Sequence, residues 1–196
     1  MSDIFIIGGP NGAGKTTVAR TLASASWIGF GPFLNADEIA RSISPQDVDG
    51  VAFRAGRIML EQMRELVRNG TSFAFETTCS GKSYLHLLKK CQAAGWRVSM
   101  MYFWLPSVEH SLQRVAQRVR MGGHGISEET IRQRYLKGLR NMVHLYFPLV
   151  DEAVIYDNVE GALRPIVEKD FGQQPKIVDQ EKWLRILEEI DGEGTD

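Results

Sequence analysis

An α/β fold, built as a parallel sheet with helices on both faces, is what the sequence predicts, and three observations predict it. The stretch from Gly9 to Thr16 fits the phosphate-binding pattern G-x-x-x-x-G-K-[ST] at every fixed position, directly after the apolar run Ile4 to Ile7. Period-two apolar segments then alternate with period-3.6 segments along the chain, the order that generates parallel strands joined by helices. Finally, Asp37 and Glu76 each close a short apolar run, so both fall at carboxyl ends of strands, where such sheets bind ligands.

Residues 3–8 read as the first strand, buried on both faces because its apolar character is unbroken. The loop after it consists of Gly9, Pro10, Asn11, Gly12, Ala13, Gly14, Lys15, Thr16 and Thr17. Its glycines allow positive φ and close approach of N–H groups to an anion. Lys15 is expected to reach the β- and γ-phosphates of a nucleotide and the Thr16 hydroxyl to hold Mg²⁺, with the positive end of a helix running to about Ser26 aimed at the same anion.

A short strand at 33–34 leads through Asn35-Ala36-Asp37 to a helix over 38–43 that Pro45 closes. Met59, Leu60, Met63, Leu66 and Val67 recur at helical spacing within 51–69, and Gly70 stops that helix. A third strand over 72–76 ends in Glu76, and a helix over 82–94 carries Tyr84, Leu87, Leu88 and Cys91 on one face. The longest strand spans 98–105. Pro106-Ser107 caps the helix that follows, where Val108, Leu112, Val115 and Val119 step by four, three and four.

Met121 to Gly125 breaks the pattern, and Ser127 opens a long helix with Ile131, Tyr135, Leu139, Met142, Val143 and Tyr146 on its buried face, ending at Pro148. A last core strand spans 152–156. Short edge strands at 166–167 and 177–178 and an amphipathic helix over 183–190 complete a single domain over 1–191, with a tail at 192–196. There is no internal repeat.

Composition narrows the function. A formal net charge of −1 across 196 residues lacks the basic excess of a protein whose main task is to hold a polynucleotide, so a nucleic-acid partner is not expected. Cys79 and Cys91 are the only cysteines and stand in no zinc spacing, which fits reduced thiols in a cytoplasmic protein. No apolar run approaches the ~18 residues of a membrane span. A GTPase would carry N-K-x-D, whereas Val167-Glu-Lys-Asp170 lacks the Asn. A motor-type ATPase would want a longer apolar strand ending Asp-Glu, which residues 73–76 imitate weakly; a nucleotide-gated binding protein is the rival outside the enzymes.

A small kinase fits better, because phosphoryl transfer asks for positive charge around the moving γ-phosphoryl and one carboxylate to receive the acceptor proton. Arg114, Arg118, Arg120, Arg132 and Arg134 bracket the glycine-rich break over about 118–134, as a closing lid requires. Singly, each reads as well as a solvated helix-face cation. Asp37 reads either as a helix N-cap or as a general base. Glu76, with Thr77 beside it, is suited either to a Mg²⁺ or water contact or to an acceptor contact. His124, between glycines, reads as a lid contact to phosphate or as an exposed side chain.

The motifs Gly9 to Thr17, Asn35 to Ile39, Phe75 to Thr78, Arg118-Val119, Gly122 to Ile126, Ile131 to Tyr135 and Tyr156 to Asn158, in that order, resemble the zeta-toxin-type kinases, in particular their compact free-standing bacterial branch. The resemblance implies a P-loop NTPase fold like that of the nucleoside-monophosphate kinases. It also implies ATP- and Mg²⁺-dependent transfer of a γ-phosphoryl to a small-molecule hydroxyl, which in studied zeta toxins belongs to a UDP-N-acetylhexosamine. By position it makes Lys15 and Thr16 the phosphate and Mg²⁺ contacts, Asp37 the base, Glu76 an acceptor or metal contact, and Arg118 and Arg134 the lid arginines, with Arg120 and Arg132 beside them. The lid is shorter than in the better-known toxins and the longer substrate-side insertions are missing. A separately encoded antitoxin is a partner that the resemblance allows.

Overall fold

The computed structural model describes residues 2–24, 31–123, 125–159 and 161–192. Seven strands form one sheet: β1 (Asp3–Gly8), β2 (Phe33–Asn35), β3 (Phe73–Thr77), β4 (Arg97–Trp104), β5 (Glu152–Asp157), β6 (Arg164–Lys169) and β7 (Lys176–Ile177), in the order β2-β3-β1-β4-β5-β6-β7. β2, β3, β1, β4 and β5 are parallel, whereas β6 and β7 add antiparallel. The parallel sheet that the sequence predicts is thus the five-stranded core, extended by an antiparallel edge. The 158–163 connection is too short for a crossover helix, so the chain folds straight back on β5.

β1 is central because both of its faces are apolar. On one side, Ile4 and Ile6 join Phe73, Phe75, Val98, Met100, Tyr102 and Trp104. These pack under Met59 and Met63 of α3 (Ala52–Arg68), Leu88 and Cys91 of α4 (Leu85–Ala93), and Ile186 and Ile190 of the terminal helix over Gln180–Asp191. On the other side, Ile7, Phe103 and Leu105 pack with Ala13, with Ala19 of α1 (Lys15–Ser24) and with Tyr135 of α6 (Glu128–Asn141). Each fully buried Leu, Ile, Phe or Met contributes about 1.5–3 kcal/mol, so this two-sided core carries the stability.

Register decides where the site lies. Asn35 stands opposite Glu76, Glu76 opposite Ile7, and Gly8 between Thr77 and Tyr102. The residues after these ends share one edge of the sheet. There α2 (Ala36–Ile43) starts directly from β2, and α5 (Val108–Arg120) follows β4.

Helix boundaries differ from the sequence reading in instructive ways. Ser107 precedes α5 but makes no capping bond, its hydroxyl lying 3.1 Å from His110 Nδ1. The long helix does not stop at Pro148. It passes through a π turn (Met142–Tyr146) into α7 (Phe147–Leu149), with Pro148 in the first turn of that last piece, where its missing N–H is tolerated. The terminal helix, α8 (Gln180–Asp191), begins three residues before Trp183 because Asp179 accepts the Lys182 N–H and caps it. No described helix is long and apolar enough to cross a membrane.

Candidate active site

The phosphate loop is shaped from behind. Gly9 has φ 144°, and a Cβ there would lie 2.6 Å from the Phe103 carbonyl oxygen, so no other residue fits. Its N–H donates to the Thr77 carbonyl (3.2 Å), and the Ala13 N–H to the Pro10 carbonyl (3.2 Å). Asn158 Nδ2 donates to the Ala13 carbonyl (2.7 Å), while the Arg114 guanidinium donates to the carbonyls of Asn158 (2.6 Å), Val159 (2.5 Å) and Gly12 (3.5 Å). With these carbonyls held at the back, the first N–H groups of α1 are left for an anion in front. Asn11 is buried and its Oδ1 has no partner among the described residues.

Glu76 is the hub of the cleft. Its Oε2 accepts from the Thr16 hydroxyl (2.7 Å) and from Asn35 Nδ2 (2.9 Å), and its Oε1 lies 3.6 Å from Lys15 Nζ. Lys15, 5% exposed, also donates to the Pro10 carbonyl at 2.9 Å. Thr16 and Glu76 thus bring one hydroxyl and one carboxylate together, the donor set that Mg²⁺ takes when substrate phosphates and waters complete its shell. No group of three His, Cys, Asp or Glu side chains among the described residues is placed to hold a metal by itself.

The N-cap of α2 is Asn35, whose Oδ1 accepts the N–H groups of Asp37 (2.8 Å) and Glu38 (3.4 Å). Asp37 is therefore no cap, and its carboxylate projects from the first turn of α2. It lines two clefts. One, of about 290 Å³, runs between the end of β3, α3 and the start of α4, and is walled by Lys15, Asn35, Glu76, Thr77, Thr78, Ser80, Tyr84, Phe53, Arg57 and Arg134. The other, of about 420 Å³, lies between the start of α1 (Thr16, Thr17, Arg20), α2 and the residues Gly122, Gly123, Gly125 and Ile126, with Arg118 and again Arg134 in its wall. Asp37 and Arg134 stand at the junction of the two clefts.

Not every arginine of the bracket is brought here. Arg114 braces the phosphate loop instead. Arg132 points to Glu109 (3.1 Å) and Glu128 (2.8 Å) on an exposed face and lines neither cleft, which corrects its expected substrate contact: at i+4 from Glu128, its outward position is set by helical spacing. Arg120 lines neither cleft. The Thr77 hydroxyl accepts the Cys79 N–H (3.0 Å), so it serves the turn after β3 while walling the smaller cleft. His124 lies outside the described residues. Burial pushes the Cys79 thiol up to about 12, which removes it as a nucleophile at neutral pH.

The α3 contribution was not foreseen. Phe53, Gly56, Arg57 and Leu60 recur at i, i+3, i+4 and i+7, a second stripe beside the one that buries Met59 and Met63. That spacing was visible in the sequence, yet nothing there tells a cleft-facing stripe from a solvent-facing one.

Residues 4–138 match the family described as an AAA domain, more than half of the chain. The chain belongs to that family. It is 32% identical over 127 residues, 65% of this chain and 88% of the other, to an uncharacterized protein of Haemophilus influenzae. Among solved structures, a chain of the AvrRxo1-ORF1:AvrRxo1-ORF2 complex superposes with a TM-score of 0.68 at 14% identity, covering 95% of this chain and 63% of that one. Similar in fold are a chain of the PezAT chromosomal toxin-antitoxin system of Streptococcus pneumoniae (TM-score 0.58, 15% identity, 97% and 86% covered) and a putative kinase from Chloroflexus aurantiacus (0.55, 16%, 81% and 86%). The present chain thus spans under two thirds of the AvrRxo1 chain, and at these identities the likeness is one of fold, which is P-loop kinase-like.

Proposed function

We propose that this chain is an ATP- and Mg²⁺-dependent phosphotransferase of the zeta-toxin type that moves the γ-phosphoryl of ATP to the hydroxyl of a small molecule. The observation that carries this reading is the placement of Asp37. A carboxylate released from capping by Asn35 stands between a cleft at the phosphate loop and a second cleft of acceptor size, with Arg134 beside it. An enzyme that only hydrolyses ATP has no need of the second cleft.

In this reading ATP lies with its phosphates on the N–H groups at the start of α1, from Gly14 to Thr17, and Lys15 contacts the β- and γ-phosphates. Thr16 and Glu76 would hold Mg²⁺, which when bound would neutralise phosphate charge. Asp37 orients the acceptor hydroxyl and takes its proton as the new O–P bond forms and the bond from the γ-phosphorus to the β-bridging oxygen breaks, leaving ADP. Arg118 and Arg134 offset the charge that develops on the equatorial oxygens. Residues 1–191 act as one domain, with a lid over about 118–134.

A solved AvrRxo1-ORF1:-ORF2 structure contains ATP, and its fold likeness supports the nucleotide assignment (TM-score 0.66). The likeness to a chain of a toxin-antitoxin system supports a separately encoded antitoxin as partner. The acceptor class we favour is a sugar nucleotide such as a UDP-N-acetylhexosamine, and the expected compartment is the cytoplasm.

Incubation with γ-labelled ATP, Mg²⁺ and a panel of sugar nucleotides, nucleosides and short oligonucleotides tests the proposal by where the label goes. Label in a new small molecule is the expected result. Label in inorganic phosphate alone would assign an ATPase, and no turnover with retained ATP binding would assign a nucleotide-gated binding protein.

A further inference from the structure

The wall of the smaller cleft is a loop held partly by its own bonds and partly from outside. Cys79 has φ 59°, a left-handed conformation that a side chain disfavours; its N–H is met within the turn by the Thr77 hydroxyl (3.0 Å) and the Thr78 and Ser80 hydroxyls pair (2.9 Å), but the carbonyls of Cys79, Ser80 and Gly81 are met from outside. Asn141 Nδ2 donates to the carbonyls of Cys79 (2.9 Å) and Ser80 (3.1 Å), and the Tyr146 hydroxyl donates to the Gly81 carbonyl (2.7 Å). Gly138 packs so closely that a Cβ there would run into the Thr78 carbonyl oxygen. Thr78, Ser80 and Gly81, held in this way, line the cleft together with Arg134.

All these contacts come from one helical rod, and its phase is unusual. Arg134, Gly138 and Asn141 stand at i, i+4 and i+7, one face of α6. In an unbroken α-helix the next residue on that face would be Leu145, with Tyr146 turned away by about 100°. The π turn at Met142–Tyr146 inserts one residue, so Tyr146, five after Asn141, takes that place.

We propose that Asn141 and Tyr146, brought into phase by this π turn, are positioning residues for the acceptor: they fix the Thr78–Gly81 wall on the same helical face that presents Arg134. Movement of α6 would then move the wall and the arginine together. This rests on reading the smaller cleft as the acceptor site.

The test uses the full chain and its two buried cysteines. Cys79 lies in the clamped loop, whereas Cys91 lies on α4, away from the clamp. Tyr146→Phe removes one oxygen and leaves the apolar packing, so it keeps the fold; Asn141→Ala and Gly138→Ala are stronger perturbations. Each variant is labelled with an aromatic disulfide reagent at pH 8, and the modified peptides are quantified by mass spectrometry. Cys79 is expected to react at least about tenfold faster than in wild type, with Cys91 unchanged and the ATP Kd within about twofold, because the phosphate loop is braced separately by Arg114 and Asn158. Cys79 and Cys91 accelerating together would mean general loosening, and no change at Cys79 would mean no clamp; either overturns the proposal. With the acceptor that the label panel identifies, its KM is expected to rise about tenfold while that of ATP stays constant. An unchanged acceptor KM also overturns the positioning role. If no panel member is labelled, the acceptor reading falls with it, while the thiol rates still decide whether the clamp exists.

Discussion

Replacing Glu76 with Gln isolates the hub of the site. The carboxylate has cation or donor neighbours on both oxygens: Lys15 at 3.6 Å on Oε1, and the Thr16 hydroxyl at 2.7 Å and the Asn35 amide at 2.9 Å on Oε2. An amide has only one acceptor oxygen. If that oxygen serves Thr16 and Asn35, the new NH₂ faces the Lys15 ammonium; if it serves Lys15, the NH₂ faces the NH₂ of Asn35. Thr16 could rotate to accept, but Asn35 cannot turn its oxygen round without abandoning the cap of α2, where Oδ1 accepts at 2.8 and 3.4 Å. A buried donor left unmet costs about 1–3 kcal/mol, and a lost cap about 1 kcal/mol. The variant should therefore lose about 2 kcal/mol, lowering Tm by about 4–8 °C for a chain of this size, as read by circular dichroism without nucleotide. Adding Asn35→Asp supplies an acceptor for the new NH₂ and keeps the cap, so the double variant should recover at least about half of the loss. A Glu76→Gln Tm within about 1 °C of wild type, or no coupling between the two changes, would refute the hub.

Asp37→Asn should leave Tm unchanged, since Asn35 provides the cap, and lower transfer to the acceptor by about two to four orders of magnitude; wild-type transfer in the label assay would remove Asp37 as the base. Arg134→Ala should cut kcat by about a hundredfold with little change in ATP affinity, whereas Arg132→Ala, which loses only exposed ion pairs, should stay within about twofold in steady-state kinetics. Asp179, the cap of α8, has its carboxyl held below the usual range, first by the Lys182 backbone N–H and then by the Lys182 side chain. A depressed folded-state pKa gives stability that is present above the unfolded value of about 3.9 and lost as pH falls below it. Asp179→Asn keeps the cap but removes this titration, so its Tm should fall less steeply than wild type between about pH 5 and 2, and parallel acid limbs would contradict the assignment.

Local chemistry made much of this protein legible from its residues alone. The spacing of Gly9, Gly12, Gly14, Lys15 and Thr16 states a phosphate loop without reference to the rest of the chain, because the backbone conformations and the cation it requires are all contiguous. Apolar periodicity likewise marked the five parallel strands and most helices, since burial of one face is a local pattern. What the sequence could not determine was which partner each polar side chain finds. Asp37 and Asn35 are both good caps, and only the register of β2 against β3, which sets Asn35 beside Glu76, gives the cap to Asn35 and leaves Asp37 to the cleft. Arg114, Arg132 and Arg134 look alike as sequence, yet packing sends them to the back of the phosphate loop, to an exposed acidic pair and to the junction of two clefts. The antiparallel turn of β6 and the π turn that brings Tyr146 to Gly81 are equally non-local, because contacts between segments far apart in the chain select them. Sequence pattern determined which elements form and which chemistry they carry. Tertiary structure decided which side chain does what, because hydrogen-bond geometry between distant segments exists only once the sheet is assembled.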